Sequence, residues 1–322
     1  MTKRIVTVFA LCAAFSASAV DLKLVPQGTK VVAEINIKAA AESETGKYLK
    51  QNMGDTLPGK NIFDNFTQQT GINVAKDVTS ITFCGDGQKE RENAGFVILN
   101  GQWDVAAVAA AFPKAKNFAT REYGKYVIMN WDDNTTLYAC LVNNSLAIMA
   151  ASETVLKKAL DTLDGKIPNI ASDPAFVDFN PVAKKPFIIA RVKDVNAMAA
   201  NDQRAAAAQQ VSTISLQVEE AVGGNGVNID VDLGAISAEA AEQLATMLNG
   251  MQAMAQMQGA NNPDLMALTK TLKITHAGQK VSIKLTLSPE TIKQLATTVA
   301  AFGKGRNGAQ GWPTPVVPPA FQ

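Results

Sequence analysis

Two stretches, Val31-Val-Ala-Glu-Ile-Asn-Ile37 and Pro186-Phe-Ile-Ile-Ala-Arg-Val192, decide the fold. Each is rich in β-branched residues and reads as a strand. Each is followed by an alanine-rich helical stretch, through Met53 in the first case and over Ala197 to Gln210 in the second. Working outward, the same order of strand and helix runs twice. After the first, Ile81–Cys84, Ala94–Asn100, Tyr126–Trp131, Thr136–Val142 and Ser145–Ala151 read as strands parted by Gly, Asn and Asp. Helices are expected at Val105–Phe112 and Glu153–Leu163, with Asp104 and Ser152 placed to cap them. After the second, Thr213–Glu219 and Val227–Leu233 alternate like half-buried strands. Ser237 caps a long helix to about Gln258, Leu268–Thr275 and Lys280–Leu287 form a hairpin, and Ser288-Pro-Glu290 opens a last helix.

The expected class is α+β, built of two divergent repeats, each a mainly antiparallel sheet with helices packed on one face. The boundaries are a signal peptide over 1–19, repeat 1 over 20–165, a proline-bearing crossing over 166–185, repeat 2 over 186–302 and a Pro/Gly-rich tail over 303–322. The leader follows from Lys3 and Arg4, an apolar run from Ile5 to Phe15, and Ser16-Ala-Ser-Ala19 before Val20. That run is about half the roughly 20 apolar residues a membrane span needs, so no transmembrane span is expected after cleavage. The address is therefore export, to the periplasm or beyond the cell.

The 322 residues carry 30 Lys and Arg against 29 Asp and Glu, and 47% are apolar. Such a chain builds a large core and offers no basic stripe for phosphates, which excludes nucleic acid as a partner. Loss of Lys3 and Arg4 with the leader leaves 28 basic and 29 acidic residues, a net charge of −1. No nucleophile elbow, phosphate loop or paired Cys-x-x-Cys occurs, and the single histidine, His276, cannot by itself furnish a two-histidine metal site. Asp132-Asp133 and Asp230-x-Asp232 are carboxylate pairs that also read as a hairpin turn and the wet face of a strand. No catalytic residue, cofactor or metal is assigned.

Two residue sets remain as candidate sites. Cys84 and Cys140 are an even pair in a chain bound for an oxidising compartment. They form a disulfide if their Cα atoms come within about 7 Å, worth ~4 kcal/mol in the chain-entropy view, and otherwise are two buried thiols. Met247, Met251 and Met254 belong to a helical stripe with Leu244 and Leu248 that reads as core packing, as the lining of an apolar-ligand groove, or as a soft Cu(I) site.

Thr70-Gly-Ile-Asn-Val-Ala-Lys-Asp77, Leu99-Asn-Gly-Gln-Trp-Asp104 and Leu160-Asp-Thr-Leu-Asp-Gly165 carry a resemblance. The chain resembles exported two-repeat α+β proteins of planctomycete-type bacteria, a domain of unknown function, over about residues 20–302. Those motifs are turns and caps, so the resemblance transfers no site residues. It implies an extracytoplasmic, non-catalytic protein. The resulting expectation is an exported binding or structural protein of the cell envelope, whose partner is an envelope protein or an apolar ligand. The alternatives are a carrier of an apolar ligand lined by Met247, Met251 and Met254, and a carboxylate-based hydrolase.

Overall fold

The computed structural model describes residues 20–53, 64, 66–68, 70–87, 95–111, 116–133, 135–177, 179, 186–200, 205–258 and 263–304. The leader and the tail beyond Lys304 lie outside them. The two deciding stretches form β1 (Val31–Asn36) and β8 (Ile188–Lys193), and these pair antiparallel with each other, Val31 opposite Val192 and Ile35 opposite Ile188.

From this central pair the sheet grows in both directions. On one side come β2 (Val78–Gly85), β3 (Phe96–Gly101), β7 (Leu146–Ala150), β6 (Thr135–Leu141), β5 (Tyr126–Asp133) and β4 (Ala119–Tyr123). On the other come β9 (Val211–Glu220), β10 (Val227–Ala235), β12 (Lys280–Leu287) and β11 (Lys273–Ala277). All twelve strands share one antiparallel sheet. Connectivity matches in the two halves: three successive strands step outward, and a later hairpin adds at the edge. The first half carries the extra hairpin strands β4 and β5.

Register turns this order into two unlike faces, because side chains alternate along every strand. One cross-strand row reads Ile274, Ile283, Val231, Leu216, Ala190, Ala33, Phe83, Val97, Met149, Ala139 and Met129, apolar across eleven strands. The row beside it, on the other face, reads Thr275, Ser282, Asp232, Ser215 and Arg191, then Val32, Cys84, Phe96, Ala150 and Tyr138. It changes from polar to apolar where β8 meets β1.

Helices follow the apolar area. On the face that is apolar throughout, helices α1 (Ile37–Glu42), α3 (Val74–Asp77), α4 (Val105–Ala111), α6 (Val195–Ala199), α8 (Ala238–Gln258), α9 (Pro263–Thr271) and α10 (Pro289–Lys304) contribute to three clusters around Trp131, Leu244 and Leu287. α2 (Glu44–Met53) lies beside α10, and α7 (Ala206–Gln209) follows α6. On the other face, α5 (Glu153–Leu163) buries Leu156, Ala159 and Leu160 against Ile98, Ile148 and Cys140. That helix covers only the first half, where the face is apolar. Helices on a single face therefore describe the second half, and the first half is covered on both.

The caps form as the sequence implies at Asp104, Ser237 and Ser288, which accept from Ala106, Ala240 and Thr291 amides respectively. Ser152 precedes α5 but makes no side-chain cap bond. Two elements differ from expectation. Leu268–Thr271 is the end of α9 rather than strand, Leu268 sharing a cluster with Leu285 and Ile292. Ala119–Tyr123, exposed and charged, pairs with β5 as an edge strand with no apolar alternation to mark it.

The described part of the crossing after Gly165 contributes to the core. Ile170 and Phe176 are fully buried and Phe179 nearly so, with the rings of Phe176 and Phe179 edge to face at 6.1 Å. Ala175 carbonyl accepts from the Arg191 guanidinium, and Lys193 pairs with Asp173. Phe176→Ala is expected to cost about 3–5 kcal/mol of unfolding free energy, measured by urea denaturation; a loss below about 1 kcal/mol, ordinary for a surface change, would contradict burial of the crossing.

Candidate functional site

The long helix α8 carries the surface that stands out. Ala240, Ala241, Leu244 and Ala245 are buried against Val211, Ala235 and Val281, and Leu248 continues that face. Gln252 extends it by donating to the carbonyls of Thr269 and Leu272, which ties α8 to the end of α9. At 100° per residue, Met247, Met254 and Met257 fall on a flank turned away from this face, and Met251 falls at its border with that flank. They are 43, 49, 50 and 79% exposed. From Thr246 to Gln258 the helix has no charged residue. A surface helix normally presents charge on its outer side.

The methionine stripe is thus not core packing, as its spacing suggests. The spacing of 247, 251 and 254 matches the helical period, but the sheet takes the neighbouring stripe through Leu244 and Leu248. Met247, Met251 and Met254 are also too open to wall a dry cavity, which removes the expected basis for a carrier pocket.

Cys84 and Cys140 are both buried and free. They point to the same face, yet β3 and β7 lie between β2 and β6. Three strand steps of about 4.8 Å separate them by roughly 14 Å, twice the reach of a disulfide. The expected bridge is therefore not formed. Burial away from water pushes both thiols up, Cys140 to about 11 and Cys84 further. Neither is a nucleophile in this setting.

The carboxylate pairs do not converge. Asp232 accepts from Ser282 and pairs with Lys280 at 2.7 Å, while Asp230 stands opposite Lys284 and Gln217. Asp132 accepts from Asn117 and Thr136, which hold its carboxyl below the usual range. His276 is exposed in β11, opposite Val281 and just before the turn at which Gly278 adopts φ +56°. No three His, Cys, Asp or Glu side chains come together to hold a metal among the described residues. A polar cleft of about 520 Å³ lies between α2 and the start of α10, lined by Glu44, Tyr48, Asn225 and Glu290.

Sequence reasoning missed Glu34. It lies in the central strand, 2% exposed, on the face where polar gives way to apolar. Ser80 and Thr82 hydroxyls each donate to its Oε2 at 3.2 Å, and Asn100 donates to Ser80. Arg191, on the neighbouring strand, donates to Ser215 and to the Ala175 carbonyl. Burial raises the Glu34 pKa to about 7, against the pull of Thr82 and Ser80 in the other direction. The signal was present in Val32-Ala-Glu34: the alternation places the carboxyl on the same face as Val32.

Among the described residues no helix is long and apolar enough to cross a membrane. No family model matches the chain, and no curated protein matches it. Among solved structures the fold is similar to that of TP0453, a Treponema protein, in crystal form IV, with a TM-score of 0.52 and 11% identity over 88% of this chain and 98% of that one. Crystal form I of TP0453 gives 0.49 and 11% over 89% and 99%. At this identity the likeness shows the α+β fold alone.

Glu34 makes stability depend on pH. A carboxyl with a higher pKa folded than unfolded holds its proton more tightly in the native state, so its contribution is full below 4.5 and is lost as pH rises through about 7. The loss is on the order of 3 kcal/mol. Urea midpoints of the wild type are expected to fall between pH 4.5 and 8 beyond any change shown by Glu34→Gln; equal slopes in the two proteins would remove Glu34 as the cause.

Proposed function

We propose that the protein is an exported, non-catalytic component of the bacterial cell envelope that acts by holding a partner on the outer flank of α8. The observation that carries this reading is the uncharged flank with Met247, Met251, Met254 and Met257 exposed. Exposed apolar patches mark interaction sites, and methionine adapts its shape to what it meets. A broad sheet braced by helices supports such a role by holding α8 rigid. The leader over residues 1–19 supplies the address, and kinship of the two halves with exported two-repeat proteins of planctomycete-type bacteria belongs to the same proposal.

The test is native mass spectrometry of the mature protein taken from its host's envelope fraction, for the wild type and Met251→Glu. The expected result is a mature chain beginning at Val20 that carries a bound partner, lost in the variant because a charge now sits in the middle of the flank. A bare chain in both proteins would contradict the reading.

A further inference from the structure

Resting on that reading of the α8 flank, we infer that its partner is a second copy of this chain, docked antiparallel across the flank about a two-fold axis near Gly250 and Met251. Three observations converge on this occupant. The first is charge. Thr246–Gln258 carries none, so two copies of it meet without like-charge repulsion, and the whole chain is near neutral. The acidic residues of α8, Glu239 and Glu242, stand in its first turns. A parallel pair would set these carboxylates against their own copies, whereas an antiparallel pair crossing at residues 250–251 separates them.

The second is shape. Gly250 is in the middle of a 21-residue helix, where glycine lowers helix stability. A Cβ built there meets nothing within 4 Å, so no contact within the chain demands glycine. Gly250 lies on the flank between Met247 and Met254, and a missing side chain lets a second backbone approach closely. Crossing at this point sets Met247 of one copy beside Met254 of the other, and the reverse, which is the self-complementarity of a two-fold contact.

The third is area. At their observed exposures the four methionines offer roughly 400 Å² per copy, about half of what each partner buries in a standard interface. Exposed Gln243 and Thr246 stand beside them and enlarge the contact.

Sedimentation equilibrium of the purified mature chain from 1 to 100 µM tests this. The wild type is expected to run as a dimer over the upper part of that range, and Met251→Glu, with unchanged circular dichroism, as a monomer throughout. A wild type that stays monomeric at 100 µM, or a folded variant that dimerises equally well, overturns the proposal. Should the glutamate variant fail to fold, Met251→Cys decides: close to the axis it is expected to cross-link to its own copy on oxidation, while buried Cys84 and Cys140 stay reduced, and no cross-link overturns the proposal. A monomeric wild type whose envelope-bound partner is nevertheless lost in Met251→Glu would refute the second copy while leaving the binding flank in place.

Discussion

Five registered pairs, from Val31 with Val192 to Ile35 with Ile188, join two halves that are 161 positions apart at the first of these pairs into one sheet. Everything else in the architecture takes its position from this central ladder. Antiparallel pairing of the first strand of each half lets both halves grow outward in the same order, with the later strands lying beyond the first three on each side. Because side chains alternate, the register at β1 and β8 also decides which residues share a face across all twelve strands. A slip of one residue there would send Glu34 into the apolar row and Ala33 to the face it now occupies.

The two faces account for where the helices sit. One is apolar from β11 to β5 and collects most of them. The other is polar on β9 to β12 and largely apolar on β1 to β7; α5 covers the apolar part, and the crossing through Phe176 reaches the boundary strand β8, where Ile189 is buried and Arg191 and Lys193 meet Ala175 and Asp173. Glu34 lies at that change of character. It is buried with the apolar half, yet its hydroxyl partners Ser80 and Thr82 belong to a polar trace that continues to Asn100. The same principle governs α8. Its buried stripe meets Val281 and Val211, and its methionine flank has no partner of that kind in the described part of the chain.

Much of this was legible in the sequence because it is written in local periodicity. The strands at Val31 and Pro186, the helix over Glu153–Leu163 and the long helix after Ser237 follow directly from alternation, helical spacing and caps. What was not legible depends on rotation and distance. Helical spacing identifies a stripe through Leu244, Met247 and Met251 but not which 100° sector the sheet takes, so the methionines read as core. Two cysteines in strand-like segments do not reveal that β3 and β7 separate them. Ala119–Tyr123 is a strand by virtue of its partner β5, since Thr120, Arg121 and Glu122 show no apolar face. The junction of the two halves was the least visible feature, because pairing over such a separation leaves no local mark.

The central ladder is also where the account is most exposed to measurement. Native-state hydrogen exchange followed by mass spectrometry reads the opening of each strand separately. If β1 and β8 are the paired centre of one sheet, peptides covering Val31–Asn36 and Ile188–Lys193 exchange together and among the slowest in the protein, behind the edge strands Ala119–Tyr123 and Lys273–Ala277. Exchange of either central peptide as fast as those edges, or at clearly different rates for the two, would show that the halves are not joined there.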